Sequence, residues 1–224
     1  MSYYNRYVLA PLLDRAMVHP RLHGCRTEAL KQACGRTLEI GFGSGANLPF
    51  YPPRVTDLEV VEPDGDLSAR ALPRIAATGM KVDVTPGRAE ALPHPDRSFD
   101  TVVSSLTLCS VDDPAACLRE IRRVLKPGGQ FLFLEHGLCP GRAVARWQQR
   151  LSRINACLCG GCRLDRDIAA LMQDSGFPGI EMRSFLLAGV PRIGGYMTLG
   201  RAVEAEVRGW SNLPPASERR AMAA

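Results

Sequence analysis

The segment RTLEIGFGSG, residues 36–45, contains a short apolar run that leads into three glycines at alternate positions. Leu38 and Ile40 alternate with polar neighbours, which predicts a β-strand over 36–42. Glycine has no Cβ atom, so it lets the chain turn tightly and lets a ligand approach the main chain closely. We therefore expect a strand followed by a ligand-binding turn, with a short helix from Gly45 that the prolines after residue 48 soon end.

A second apolar run, 58–61, ends in the acid Glu62, which follows Gly41 by 21 positions. An acid about 20 residues beyond a glycine turn typically binds the hydroxyl groups of a ribose. The glycines at 41, 43 and 45 do not match the dinucleotide pattern G-x-G-x-x-G, because Ala46 and Asn47 follow them. The pair of runs thus predicts a ribose-containing ligand that is not held in the dinucleotide manner.

Further along the chain, apolar runs of strand length alternate with segments of helical periodicity, which predicts an α/β fold. The expected strands after the first are 57–62, 80–85, 101–106, 130–136, 179–187 and 194–203, with the last two forming an antiparallel hairpin. The expected helices are 65–78, capped by Asp64, one from Asp112 or Asp113 to about 125, 142–156 and 165–175.

Residues 36–136 together resemble the class I S-adenosylmethionine-dependent methyltransferases, in their type 11 branch. The resemblance rests on the G-x-G-x-G turn preceded by Glu39, on GRAEALP at 87–93, on PDRSFD at 95–100 and on LKPGG at 125–129. It implies a Rossmann-like domain with a mostly parallel seven-stranded sheet, helices on both faces and an antiparallel last strand. It also implies S-adenosyl-L-methionine as the cofactor.

The resemblance assigns cofactor contacts to particular positions of this chain. They are Glu39, Gly41, Gly43, Gly45, Glu62, Ala89, Glu90 and Leu106. Loop structure without cofactor contact is the alternative for Glu39. The chain departs from the family at Arg88, where many members carry an aspartate that accepts a hydrogen bond from the adenine amino group.

A narrower resemblance, over about 100–180, is to thiol methyltransferases. It is carried by LTLCSV at 106–111, Glu135-His136, Trp147-Gln148 and Gly161-Cys162. It implies a small-molecule methyl acceptor, a thiol or another small nucleophile. If a base assists, His136, at the cleft end of the expected strand 130–136, is the first candidate and Asp165 the second. A structural histidine is the alternative at 136, and a lipid amine or a quinone precursor is the alternative acceptor.

The cluster CLCGGC at 157–162 holds three of the eight cysteines. Cys157, Cys159 and Cys162 suit zinc or a soft metalloid such as arsenic, although a structural zinc site usually has four ligands. A loop of small, semi-buried thiols is the alternative interpretation, and no resident metal is expected under the methyltransferase interpretation. With no secretory signal evident, most thiols should be reduced.

Domain organisation follows from the same patterns. We expect an N-terminal helical lid at 1–34, a methyltransferase domain at 35–208 with a helical, cysteine-rich insertion at about 140–165, and a mobile tail at 209–224. Tyr3, Tyr4 and Tyr7 either line the acceptor pocket from the lid or simply pack.

Composition and charge exclude several classes of protein. The net charge is +5 over 224 residues, and the arginines are scattered without a run or interleaved aromatic residues, so nucleic acid is not an expected partner. No apolar run approaches the roughly 18 residues that span a bilayer, and no cleavage site of a signal peptide is visible. A cytoplasmic protein without a transmembrane segment is expected, and its oligomeric state is left open.

Overall fold

The computed structural model describes residues 3–205 of the chain. Its strands are β1 (Gly35–Ile40), β2 (Val55–Glu62), β3 (Val82–Pro86), β4 (Phe99–Ser105), β5 (Leu125–His136), β6 (Gly179–Leu186) and β7 (Tyr196–Val203). Its α-helices are α1 (Ala10–Met17), α2 (His23–Leu30), α3 (Gly65–Thr78), α4 (Pro114–Val124), α5 (Arg142–Leu158), α6 (Ile168–Gln173) and α7 (Arg192–Gly195). Short turns of other helical types lie at Asn5–Leu9, Pro20–Leu22 and Leu48–Phe50.

The seven strands form one sheet in the order β3-β2-β1-β4-β5-β7-β6. The pairings among β1 to β5 are all parallel, whereas β7 is antiparallel to both β5 and β6. The strand order reverses between β1 and β4, and ligands of such sheets bind outside the carboxyl ends of the strands at this point. The predicted Rossmann-like sheet, with its antiparallel last strand, is confirmed.

Both faces of the sheet are covered, which explains why β5 reads as a nearly continuous apolar run. On one face, Phe131 and Phe133 pack with residues of α4 and α6. On the other face, Leu132 packs with Ala71 of α3 and with Leu30 of α2. The strands that carry the central residues of the site are thus held from both sides.

The expected helix from Gly45 was wrong. Residues 43–47 form turns, and only a 3₁₀ turn, Leu48–Phe50, follows them. Gly41, Gly43 and Gly45 have φ values of 64°, 57° and 75°, outside the α-helical region. Pro49 then removes a donor that an α-helix would need. The first crossover is therefore a loop, and it leaves the backbone of the glycine turn accessible.

The N-terminal caps of two helices, α3 and α4, agree with the sequence prediction. The Asp64 carboxylate accepts a hydrogen bond from the N–H of Asp66 at 2.8 Å, and that of Asp113 accepts one from Ala116 at 2.9 Å. Each side chain satisfies a backbone donor that has no partner within its helix.

The domain boundaries proposed from the sequence remain predictions. The described part of 1–34 is largely helical, and the expected tail at 209–224 lies outside the described residues. Among residues 3–205, no helix combines the length and the apolar character needed to cross a membrane. The cytoplasmic location and the absence of a nucleic-acid partner also remain predictions.

Candidate active site

A cavity of about 780 Å³ opens at the carboxyl edge of the sheet. The glycine turn after β1, the end of β2, the loop after β4 and the end of β5 all contribute to its wall. Helix α1 and the loop after α5 line it from outside the sheet, through residues such as Leu13, Met17, Gly160 and Cys162. Its volume falls in the usual range for small-molecule sites, roughly 300–1,000 Å³.

Two of the three glycines in the turn, Gly41 and Gly45, are closely packed by side chains, whereas Gly43 is open. A Cβ atom on Gly41 would lie 2.2 Å from the Thr107 hydroxyl oxygen, and one on Gly45 would lie 2.9 Å from a methyl of Leu48. At Gly43 the nearest such neighbour is the Gly41 carbonyl oxygen, 4.0 Å away. The backbone at Gly43 therefore offers a bare surface to the cavity, where a ligand can approach closely.

Glu62 terminates β2 at the wall of the cavity. Its carboxylate accepts hydrogen bonds from the N–H of Gly43 at 2.7 Å and from the N–H of Asp64 at 2.9 Å. Burial raises the pKa of this carboxyl, and the two backbone donors oppose the rise. The acid is thus fixed beside the glycine turn, and its binding of a ribose stays a prediction.

Glu39 lies buried beneath the turn and is held on both oxygens. The Asn47 amide donates to one oxygen at 2.9 Å, and the Tyr51 hydroxyl donates to the other at 2.7 Å. Burial raises the pKa of Glu39 to about 7, against the opposing effects of Tyr51 and the nearby Arg26. These contacts favour the loop-holding interpretation of Glu39, although this side chain also lines the cavity.

Sequence reasoning missed the partners of Glu39. Asn47 also receives a hydrogen bond from the buried guanidinium of Arg26, which comes from α2. Asn47 stands two positions after Gly45, so its place in the glycine motif was a usable signal. Arg26 carried no such signal, because only the packing of α2 against the sheet brings it under the turn.

Ala89 and Glu90, which the sequence assigned to the cofactor, line the same cavity. The Glu90 carboxylate accepts a hydrogen bond from the N–H of Asp112 at 2.9 Å. Arg88 forms an ion pair with the Asp112 carboxylate across the rim. The arginine that replaces the family's aspartate therefore ties two loops together at the cavity mouth.

The loop after β4 is fastened to a buried acid. The Glu135 carboxylate accepts hydrogen bonds from the Ser104 hydroxyl at 2.5 Å and from the N–H groups of Thr107 and Cys109 at 3.2 and 3.4 Å. Burial raises the pKa of Glu135 to about 7, and these donors oppose the rise. Leu106 adopts a φ of 59°, which is unusual for a residue with a side chain. Glu135 therefore positions the loop that brings Leu106 to the cavity.

The two candidate bases are placed very differently. His136 is buried in the cavity wall, and no hydrogen bond of regular geometry joins either of its ring nitrogens to any residue within 3–205. Asp165 is exposed, does not line the cavity and is bonded to the Ser152 hydroxyl. The structure thus brings His136 to the site and leaves Asp165 outside it.

The cysteine cluster is divided by the structure. Cys159 and Cys162 line the cavity, whereas Cys157 is exposed on the last turn of α5 and does not. Among residues 3–205, no three histidine, cysteine or acidic side chains are grouped so as to hold a metal ion. Tyr3, Tyr4 and Tyr7 are exposed and are absent from the cavity lining, where Leu13 and Met17 of α1 stand instead.

Comparison with known proteins agrees with this geometry. A family model described as a methyltransferase domain matches residues 38–133. The thiol S-methyltransferase TMT1B of Homo sapiens is 34% identical over 190 residues, which cover 80% of this chain and 76% of that protein. The phosphatidylethanolamine N-methyltransferase of Cereibacter sphaeroides is 32% identical over 104 residues, or 46% of this chain and 51% of that protein.

The fold also matches solved structures. Phosphoethanolamine N-methyltransferase 2 of Haemonchus contortus, solved in complex with S-adenosyl-L-methionine, superposes with a TM-score of 0.69. That match covers 91% of this chain and 59% of the other at 15% identity, so it shows the fold alone.

Fold and site together define an S-adenosylmethionine-dependent methyltransferase of class I. Within that class, the chain belongs to the methyltransferase-domain family that includes the thiol S-methyltransferases. S-adenosyl-L-methionine is its methyl donor. The open backbone at Gly43 and the fixed carboxylate of Glu62 fit that cofactor, because it needs close main-chain approach and an acceptor for ribose hydroxyls.

Proposed function

We propose that this methyltransferase acts on the sulfur of a small thiol that enters the cavity beside His136. The observation that carries the proposal is the buried imidazole of His136 in the cavity wall, which lies near the Cys162 thiol and has no regular hydrogen bond to either ring nitrogen within residues 3–205. It stands in a wall that also holds Cys109 and Leu106. This end of the cavity places a proton acceptor beside a sulfur and an apolar side chain, and such surroundings suit a thiol substrate.

We assign the remaining sequence-predicted residues to the cofactor. Gly41, Gly43 and Gly45 would pass beneath its methionine part, and Glu62 would accept hydrogen bonds from the ribose. Ala89 and Glu90 would lie at the adenine, and Leu106 would lie toward the reacting end. The support for these roles is that all of these residues except the closely packed Gly45 line the same cavity.

S-adenosyl-L-methionine, when bound, supplies a methyl group on a positively charged sulfur. The residues of the chain position the acceptor against that methyl group, exclude water from it and accept the proton that the acceptor loses. A thiol reacts as its thiolate, and an ordinary thiol with a pKa of about 8.5 is mostly protonated at neutral pH. We propose that a ring nitrogen of His136 takes that proton and that Leu106 and Leu164 help to exclude water from the nucleophile.

The extent of the match to thiol S-methyltransferases supports this acceptor class. That match spans 80% of this chain and 76% of the relative. The match to the phosphatidylethanolamine N-methyltransferase covers only 46% of the chain.

A lipid amine is the second candidate acceptor, and the apolar contribution of α1 favours it. Leu13, Met17 and Leu22 line the cavity from the N-terminal segment, together with Leu187 and Val190 from the loop before β7. Such a surface accommodates an acyl chain as readily as it excludes water from a small acceptor. The relative that acts on phosphatidylethanolamine is consistent with this alternative.

The test measures release of S-adenosylhomocysteine with a panel of acceptors. The panel contains alkyl thiols, an aryl thiol, phosphatidylethanolamine in mixed micelles and a demethylated quinone. We expect turnover with the thiols and none with the other acceptors. Turnover with phosphatidylethanolamine alone would refute the thiol proposal, as would silence with every thiol in protein that calorimetry shows to bind S-adenosyl-L-methionine.

A further inference from the structure

Two cysteines from separate loops meet in the cavity wall. Cys109 belongs to the loop after β4, and Cys162 belongs to the loop after α5. The N–H of Arg163 donates a hydrogen bond to the Cys109 carbonyl at 2.9 Å. A Cβ atom on Gly161 would lie only 2.8 Å from the Ser110 carbonyl oxygen, so the two loops touch on both sides of the cysteine pair. The pair is held together by the backbone.

The pKa values of the two thiols are shifted in opposite directions. The proximity of the Cys109 thiol, and then of His136, lowers the pKa of Cys162. The pKa of Cys109 is raised well above its ordinary value, first by its bond to Cys162 and then by burial. Cys162 is therefore the more readily ionised of the two thiols, and it is partly accessible whereas Cys109 is buried.

We propose that Cys162 is a site of thiol–disulfide exchange with small-molecule disulfides, and that Cys109 is its resolving partner. The Cys162 thiolate attacks one sulfur of a disulfide R–S–S–R, which forms a mixed disulfide and releases R–S⁻. Cys109 then loses its proton and attacks the Cys162 sulfur, which releases the second R–S⁻ and closes a Cys109–Cys162 disulfide. The small disulfide is reduced to two thiols, and the two cysteines are oxidised to one cystine.

The geometry suits this chemistry in three respects. The attacking thiolate faces a cavity of a size that admits small molecules. The resolving thiol lines the same cavity, on a loop in backbone contact with the loop that carries Cys162. The resolving sulfur is also buried, so a small disulfide reaches Cys162 first. The exchange requires no methyl donor, and its test is therefore independent of the proposed acceptor.

The test treats the protein with bis(2-hydroxyethyl) disulfide at pH 6, where an ordinary thiol is almost fully protonated. Intact mass and peptide mapping then locate the products. For the wild type we expect a Cys109–Cys162 disulfide with no retained adduct. For Cys109→Ser we expect one mercaptoethanol adduct, held at Cys162. For Cys162→Ser we expect neither product.

The matched control is Cys157→Ser, which removes a thiol of the same cluster that lies outside the cavity lining. It should form the Cys109–Cys162 disulfide at the wild-type rate. An adduct spread over several cysteines at pH 6, or a wild-type product without the Cys109–Cys162 link, would overturn the proposal. If Cys162→Ser fails to fold, the rate of iodoacetamide alkylation at Cys162 in the wild type tests whether this thiol is ionised. It should change little from pH 6 to pH 8, and a rise of about a hundredfold would refute a thiolate.

Discussion

The Glu62 carboxylate accepts a hydrogen bond from the backbone N–H of Gly43 across 2.7 Å, so the end of β2 is fastened to the turn that follows β1. The two neighbouring strands thus bring the two parts of the proposed cofactor site together. The acid fixes the shape of the glycine turn and also stands at the cavity wall. Changes at either residue should therefore affect cofactor binding.

Glu62→Gln should weaken binding of S-adenosyl-L-methionine by a factor of ten or more. An amide donates where the carboxylate accepts, and hydrogen bonds to a charged group are worth about 1.5–3 kcal/mol. Isothermal titration calorimetry measures the change. Glu59→Gln on the same strand is the matched control, because Glu59 pairs with Arg36 and lies outside the cavity lining. Equal affinities for the two variants would contradict the assignment of Glu62.

Gly43→Ala should fold and yet lose affinity for the cofactor. Its positive φ of 57° costs a residue with a Cβ atom about 1 kcal/mol, but the structure leaves room for the methyl. That methyl would occupy the surface on which we place the cofactor. Urea unfolding and calorimetry, run side by side, separate the two effects.

Gly79→Ala provides the control for that substitution. Gly79 has a φ of 66° at the end of α3, and a Cβ atom there would meet nothing within 4 Å. We expect a similar loss of stability and unchanged affinity. If Gly43→Ala kept wild-type affinity as well, the backbone at Gly43 would not be the cofactor surface.

His136→Gln should lower kcat/KM for an alkyl thiol by about a hundredfold, the lower end of the range for general base catalysis. For an aryl thiol that is already ionised at pH 8, the loss should be much smaller, because no proton has to be removed. Steady-state kinetics with both acceptors measures the difference. Equal losses for the two thiols would indicate that His136 packs or orients and does not accept the proton.

Asp165→Asn is the companion variant. Asp165 was the second candidate base in the sequence, but its carboxylate lies outside the cavity lining and is bonded to Ser152. We expect kcat/KM within about twofold of the wild type and a stability change of about 1 kcal/mol from the weakened hydrogen bond. A loss of activity as large as that of His136→Gln would return Asp165 to the active site.

Glu135 should make the protein less stable as the pH rises from 6 to 8. Burial raises its folded-state pKa to about 7, above its value of about 4.3 in an unfolded chain. The folded state therefore binds the proton more tightly. The resulting stabilisation is present at low pH and is lost as the pH passes through 7. The change from pH 6 to pH 8 is about 1 kcal/mol of unfolding free energy for this group.

Urea unfolding of the wild type and of Glu135→Gln at both pH values measures this contribution. The lowered pKa of Cys162 acts in the opposite direction, and the pair of proteins is compared because that effect is common to both. The wild type should lose more stability than the variant on going to pH 8. Identical losses would mean that Glu135 is ionised throughout this range.

Local patterns in the sequence were sufficient for the fold and for the cofactor half of the site. Alternation at Leu38 and Ile40, the glycine spacing and the acid at 62 depend on neighbours in sequence, and each has a local physical meaning. The sheet confirmed the strands and placed the ends of β1 and β2 at one edge, while the cofactor roles of the glycines and of Glu62 stay predictions. The error after Gly45 has the same origin, since the effect of positive φ values on the following turn was not included.

Only the tertiary structure decided the acceptor half. Crossing of the loops after β4 and α5 places Cys162 beside Cys109, 53 positions earlier in the chain, and leaves Cys157 outside the cavity. The same packing buries His136, the first candidate base in the sequence, and exposes Asp165, the second. Burial and contact between distant segments decide which of these groups face the cavity, and no local pattern of residue types carries that information.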